Sequence, residues 1–342
     1  MKLFHSLLYP LLGGLFCLSC SDDEQDTGTK QPTTAGEVTF GVDLTGFSTR
    51  VTQDGSSWND GDKIGTYVLD MKTLEPVTEA ANVPYVCSEE GASVSFTSTT
   101  PLKVQNDGTP VKFVAYYPYN ADVRNFNYPV QLAAQERGST ACDLLYAATK
   151  EEYTYSPENE PHISLNFTHR LAKVILKFVN MEKEPLEVSD VRIEGMQTAA
   201  SFNIQTDVLT VDESSVATIN PYHNATTGFY EAIILPSALT DSYKVSFVLD
   251  DREKEWIFTN LDIALPQFHR GYSYTFALYI DDSGFVEMGR LENVEGGNSS
   301  APWEDGSSED GTAEGDKTPV SGYAFTPADG TQQALADTEL KI

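Results

Sequence analysis

The chain has 342 residues, 40% of them hydrophobic and 11% aromatic, enough for two folded bodies with real cores. Its 51 Asp and Glu against 22 Lys and Arg leave a formal net charge of −29. That charge excludes a nucleic-acid partner, whose phosphates would be repelled, and docking on anionic lipid through a basic patch; it suits solubility on a crowded surface.

Residues 1–20, MKLFHSLLYPLLGGLFCLSC, start on Lys2, run apolar from Leu3 to Leu18 with breaks at Pro10, Gly13 and Gly14, and end on Ser19 and Cys20. This is the layout of a secretory signal, too short and too broken for a lasting membrane helix. A cysteine after a small residue at the close of an apolar run resembles the bacterial lipobox, in which the thiol receives a diacylglyceryl group and becomes residue one. Cys17 stands where Leu is usual there, and an ordinary signal cut elsewhere is the alternative reading. On the lipobox reading Cys20 is the lipidation site. Two or three acyl chains hold a protein on a bilayer far better than one, since each buried CH₂ contributes about 0.8 kcal/mol. The acidic run Asp22, Asp23 and Glu24 resembles the export signal of surface lipoproteins in Gram-negative gut and oral anaerobes, which implies a cell-surface location with the outer membrane engaged through lipid.

Residues 21–36 are polar and read as a flexible stalk. From Glu37 the pattern is strand-like almost throughout. EVTFGVDLTGF places Val38, Phe40, Val42 and Leu44 at strict period two, predicting a half-buried strand over 37–47. VKFVAYYPY alternates Val111, Phe113, Ala115 and Tyr117. SLNFTHRLAKVILKFV holds the longest apolar stretch, and FYEAIILP, YKVSFVLD, KEWIFTN and GYSYTFALYI follow at β-sandwich spacing. Asp-Gly pairs at 54–55, 60–61 and 107–108 signal turns. Residues 131–149 leave room for a helix or two, but no sustained 3.6-residue stripe organises the chain. The fold class expected is all-β, two β-sandwich domains in tandem. The polar segment EEYTYSPENEP places the break near residue 160, giving bodies at 37–160 and 161–303. Beyond Ile280 the composition shifts: 281–316 holds eleven acids against one base. Residues 304–342 read as an acidic, Gly/Ser-rich tail with a terminal strand candidate.

Catalytic motifs are missing from the sequence. There is no G-x-S-x-G elbow, P-loop, G-x-G-x-x-G or H-E-x-x-H, and His162, His169, His223 and His269 lack metal-ligand spacing. No catalytic residue, metal or cofactor is therefore assigned and no enzymatic activity is expected. NDGDKIG at 59–65 lacks the alternating oxygen ligands of an EF-hand and reads as a turn. His162 and His169 could face each other across a bend, or each serve as a satisfied structural histidine. Cys87 and Cys142 remain after the signal, either as one disulfide in an oxidising envelope or as two buried free thiols.

Several motifs in order resemble the fimbrillin family, the lipoprotein-derived pilins of type V pili. They are the lipobox at Cys20, Thr49-Arg50, W-x-x-G-D-x-I-G from Trp58 to Gly65 and Tyr-Tyr-Pro-Tyr at 116–119. Then come Asp-Leu-Leu-Tyr-Ala at 143–147, Phe-Thr-His-Arg-Leu-Ala-Lys-Val at 167–174 and Gly-Tyr-Ser-Tyr-Thr-Phe at 271–276. The resemblance covers roughly 37–303 and implies two transthyretin-like β-sandwiches. It also implies assembly by strand exchange: an arginine-specific protease cuts after Arg50, leaving Val51 as the new N-terminus, and the strand carrying Val38, Phe40, Val42 and Leu44 leaves. A strand of another pilus subunit fills the gap by β-augmentation. The four side chains would bury roughly 6–10 kcal/mol of transfer free energy. The role implied is a structural or tip/accessory subunit of a cell-adhesion fimbrium, with an anchor subunit a third position. Its partners would be other subunits, the protease, the membrane and a host or bacterial surface glycan or protein. A surface glycan-binding lipoprotein outside any pilus is the alternative. VSGYAF at 320–325 is the best-patterned donor within 281–342, with one small face and one more aromatic face.

Overall fold

The computed structural model describes residues 35–42, 58–78, 81–91, 93–135, 142–158, 160–181, 187–249, 251–260 and 265–280, and the strand backbone of 286–296, 324–325 and 333–334. Among these residues the protein is all-β, with no α-helix. The predicted strand at 37–47 appears as Ala35–Glu37 (β1) and Thr39–Val42 (β2), parted at Val38, which donates its N–H to Leu102 O at 2.9 Å. Leu44 lies outside the described residues. Lys63–Asp70 (β3), Val83–Cys87 (β4), Val94–Thr97 (β5), Lys103–Gln105 (β6), Val111–Tyr117 (β7), Asn127–Gln131 (β8), Leu145–Ala148 (β9), His162–Ser164 (β10) and Thr168–His169 (β11) follow. Gly61 and Gly108 take positive φ at two of the predicted Asp-Gly turns.

Eight of these strands form one sheet in the order β10-β2-β5-β4-β3-β7-β9-β11, while β1 pairs with β6. The edge strands β10 and β11 are successive pieces of one run, separated only by Leu165–Phe167. Four residue steps reach at most about 14 Å, so the sheet curls until its ends nearly meet. Inside the curl lies a core of Val38, Phe40, Trp58, Tyr85, Phe96, Phe113, Ile163 and Phe167, among others. Trp58 makes edge contacts with Phe96, Tyr117 and Phe167 at 5.0–5.4 Å.

The second lobe comprises Ala172–Asn180 (β12), Val188–Glu194 (β13), Ala199–Asn203 (β14), Val208–Val211 (β15), Tyr222–His223 (β16), Tyr230–Ile234 (β17), Ser237–Ala238 (β18), Lys244–Leu249 (β19), Arg252–Ile257 (β20), Gln267–Phe268 (β21), Tyr272–Ile280 (β22) and Val286–Gly296 (β23). A five-stranded sheet, β16-β17-β12-β22-β23, shares a core with the three-stranded sheet β13-β19-β20, which is sandwich packing.

Strand pairing and packing both cross between the lobes. The strand β8 pairs with β14 of the hairpin β14–β15. A third core joins Tyr67, Val114 and Tyr116 of the first lobe to Leu171, Phe202, Ile204 and Ile233. The hairpin covers the outer face of β7, so Val114 and Tyr116 are buried as well as Val111, Phe113 and Ala115, and the predicted alternation is lost there. The apolar run at 162–179 is three strands. Its first two close the first sheet, and the chain changes sheets at Arg170. The room for helix at 131–149 is filled in its described part by a strand, β9.

Candidate functional site: the groove that holds the first strand

Alternation of Val38, Phe40 and Val42 buries all three, at 0%, 0% and 2% exposure. The intervening Thr39 points outward. Phe40 meets Tyr85 edge-on at 4.8 Å and Phe113 at 5.8 Å. The backbone is held on both sides. On one flank β2 runs antiparallel to β5, with Phe40 opposite Phe96 and Val42 opposite Val94. On the other it runs parallel to β10, with Phe40 opposite Ile163. Thr39 N–H donates to Pro161 O and Leu165 N–H to Gly41 O, each at 2.9 Å. Thr39 Oγ1 lies 3.0 Å from His162 Nδ1.

Tyr85 adds a polar tie that sequence reasoning missed. Its buried hydroxyl donates to Val38 O at 3.0 Å and accepts from Leu102 N–H at 2.8 Å, while burial pushes its pKa up to about 12. Lys103 and Glu37 pair at 3.2 Å on the exposed rim, an interaction worth little in water. The first strand is therefore an insert: apolar anchors below, ladders on both edges, one hydroxyl clamp. Nothing in sequence signals the tyrosine, because a core tyrosine and a clamping one have the same pattern.

Of the other predicted positions, Cys20, Arg50 and Val51 lie outside the described residues. Within VSGYAF, Ala324–Phe325 pairs antiparallel with Gln333–Ala334. The loop at 59–62 is a turn: Asp62 Oδ2 accepts from Asn59 N–H at 2.7 Å and Tyr117 OH donates to Oδ1 at 3.3 Å. His162 and His169 do not face each other: the first, on β10, lies against Thr39 of β2, and the second bonds Asp143 through Nδ1 at 2.8 Å in a buried pair. That pair, with Arg170 N–H donating to Leu144 O, shows why Asp-Leu-Leu-Tyr-Ala and Phe-Thr-His-Arg go together: they fasten β11 to β9. Cys87 and Cys142 are free thiols, each with its pKa raised first by burial.

A cavity of 1020 Å³ is bordered by β9 and β10. Arg170 on its wall is paired with Asp207 at 2.6 Å and lies 4.7 Å over the Tyr146 ring, so both its charge and that aromatic face are already engaged. Trp58 and Trp256 are buried, which leaves no exposed Trp platform for a sugar among the described residues.

A model of the fimbrillin-like family matches residues 49–303. A candidate cell-adhesion protein of Bacteroides uniformis ATCC 8492 has a similar structure, with TM-score 0.62 and 22% identity over 77% of this chain and 97% of its own. One of Bacteroides ovatus ATCC 8483 gives TM-score 0.59 and 15% identity over 77% and 98%. These two likenesses bear on the fold alone. No curated protein matches the chain.

Proposed function

The chain belongs to the fimbrillin-like family, and from that premise we propose that it is a structural or tip/accessory subunit of type V fimbriae, assembled by protease-triggered strand exchange and serving cell adhesion. In this reading Cys20 carries the lipid that holds the precursor at the outer membrane, and the arginine-specific cut after Arg50 starts the chain at Val51. The observation that carries the proposal is the way β2 is held. It is short and N-terminal, yet it supplies three core side chains and is laddered on both edges. Its departure would expose two unpaired strand edges and an apolar slot, a state that strongly favours refilling by another strand.

The test is N-terminal sequencing of the protein recovered from cell surfaces, with Arg50→Ala alongside. A start at Val51 in the parent, and oligomers in gel filtration that the variant does not form, are expected. A parent that keeps its first strand on cells and is monomeric after arginine-specific digestion with other pilins added would overturn the proposal.

A further inference from the structure

In the second lobe the hairpin β16–β17 lies along β12, the middle strand of the five-stranded sheet, with Glu231 opposite both Tyr222 and Ile175. Lys173, two residues before Ile175, shares its face of the sheet, and its ammonium reaches the Glu231 carboxylate. The Nζ atom lies 2.8 Å from Oε2, and the two side chains are 13% and 8% exposed. The other carboxylate oxygen, Oε1, accepts from Asn224 Nδ2 at 2.9 Å. One buried carboxylate thus holds an amine and an amide side by side. Among the described residues Lys103 and Lys244 also pair with carboxylates, but their side chains are 55% and 31% exposed, where water competes.

The amide is held at its other end as well. Asn224 Oδ1 accepts from Thr226 N–H at 3.0 Å and from Thr227 N–H at 3.3 Å. The turn that aims these donors is closed by Gly228 N–H to Asn224 O at 2.7 Å and by Asn224 N–H to Phe229 O at 2.9 Å. Gly228 takes the positive φ the turn requires. Two backbone donors on one carbonyl oxygen make the amide carbon more electrophilic, and they would hold the negative charge that this oxygen gains on attack. The contacts also fix which end of the amide is which, since only the NH₂ end donates and only the oxygen accepts. A nucleophilic amine, a carboxylate base and a polarised amide are the three parts of an acyl transfer.

We propose that Lys173 and Asn224 become joined by an isopeptide bond, formed once within the folded chain. Glu231 takes a proton from the Lys173 ammonium. The freed Nζ lone pair attacks Asn224 Cγ, the flexible lysine stem supplying the last approach to about 3–3.5 Å. The oxyanion at Oδ1 rests on the Thr226 and Thr227 N–H groups. Glu231 returns its proton to Nδ2 and takes a second one from Nζ. The Cγ–Nδ2 bond then breaks, Oδ1 regains its double bond, and ammonia leaves, carrying off the proton on Glu231 as ammonium. One C–N bond forms and one breaks, nothing is oxidised or reduced, and the carboxylate is restored. Before reaction the three groups are a buried ion pair with a bound amide. Afterwards the middle strand is tied covalently to the β16–β17 hairpin, which can no longer peel from the sheet. The bond needs no strand exchange and stands or falls apart from that reading.

The experiment is tryptic peptide mapping of the full chain by mass spectrometry. A linked Lys173 resists trypsin, so Leu171–Lys177 should emerge joined to Ile193–Lys244 as one branched peptide. It should weigh about 17 Da less than the two together, the ammonia lost in the acyl transfer. Lys173→Arg keeps a cation, Asn224→Ser keeps an oxygen for the turn, and Glu231→Gln keeps the shape of the base. Each, with native near-ultraviolet dichroism, should give only linear peptides. A folded parent that gives only linear peptides overturns the proposal without recourse to any variant. A branched peptide that persists in Asn224→Ser, or that forms as fully in Glu231→Gln as in the parent, overturns the assignment of electrophile or base and the proposal with it.

Discussion

At the scale of single residues, the polar atoms that matter most are those that imitate backbone. Gln135 is 2% exposed and behaves as a one-residue strand: its Nε2 donates to Leu132 O and Ile233 O, and its Oε1 accepts from Ile233 N–H, all at 2.7–2.8 Å. This stitches the loop after β8 to β17. Gln135→Ala leaves those groups buried without partners, and a loss of about 2–4 kcal/mol in urea unfolding is expected. Gln135→Glu, which keeps the acceptor and loses both donors, should also destabilise; if both variants unfold like the parent, the stitch is idle. None of this was legible in sequence. A glutamine in QLAAQ reads as surface, and its burial is decided by a strand about a hundred residues later. By contrast Trp58, read as part of a motif, and Val38, Phe40 and Val42, read from alternation, are where the pattern places them. Period-two patterning reports burial directly but says nothing of side-chain hydrogen bonds.

At the scale of elements, the strand inventory was largely legible and the pairing was not. Antiparallel neighbours such as β19 and β20 follow one another directly in the chain. The parallel partner of β2 is β10, 123 residues on from Thr39 to His162, and no turn signal can announce such a pair. The same holds for β8 with β14. It is also why the polar stretch at 151–161 read as a break between bodies, although β10 and β11 beyond it pair within the first sheet. One ionic contact between elements is testable. Lys173 of β12 meets Glu231 of β17 at 2.8 Å, with both side chains largely buried and Asn224 Nδ2 donating to the same carboxylate at 2.9 Å. Glu231→Leu alone leaves a buried ammonium unpaired and should cost roughly 3–5 kcal/mol. The double variant Lys173→Met with Glu231→Leu should recover most of that, because the apolar pair carries no desolvation penalty. Equal loss in single and double variants, measured by denaturant titration, would contradict this.

At the scale of the whole molecule, buried phenols set the alkaline limit. Burial pushes Tyr67, Tyr85, Tyr128 and Tyr146 up to about 12, and Tyr116 and Tyr117 higher still. A phenol whose folded pKa exceeds its unfolded value of about 10 keeps its proton longer in the fold. Its stabilising effect is complete below about pH 10 and is lost as pH rises through the folded value. Tyrosinate absorbance should therefore rise in a steep step together with loss of near-ultraviolet dichroism. A shallow titration of all tyrosines near pH 10 with the fold intact would contradict the burial. Since Tyr67, Tyr116 and Tyr146 lie in the core shared by the lobes, and Tyr85 in the first, the lobes should give way together.

The curled sheet also imposes an order of events on a chain that emerges N-terminus first. The strand β2 can meet β5 once residue 96 is out, but its other flank has no partner until residues 162–164 arrive, and Leu165–Phe167 then draw the two ends of the sheet together. The seam between β2 and β10 thus closes late in the first lobe, made across the longest stretch of sequence in its sheet and costliest in loop entropy. In space it flanks the first strand the chain produces. A nascent subunit accordingly spends the span between its 96th and 162nd residues with its first strand held along a single edge.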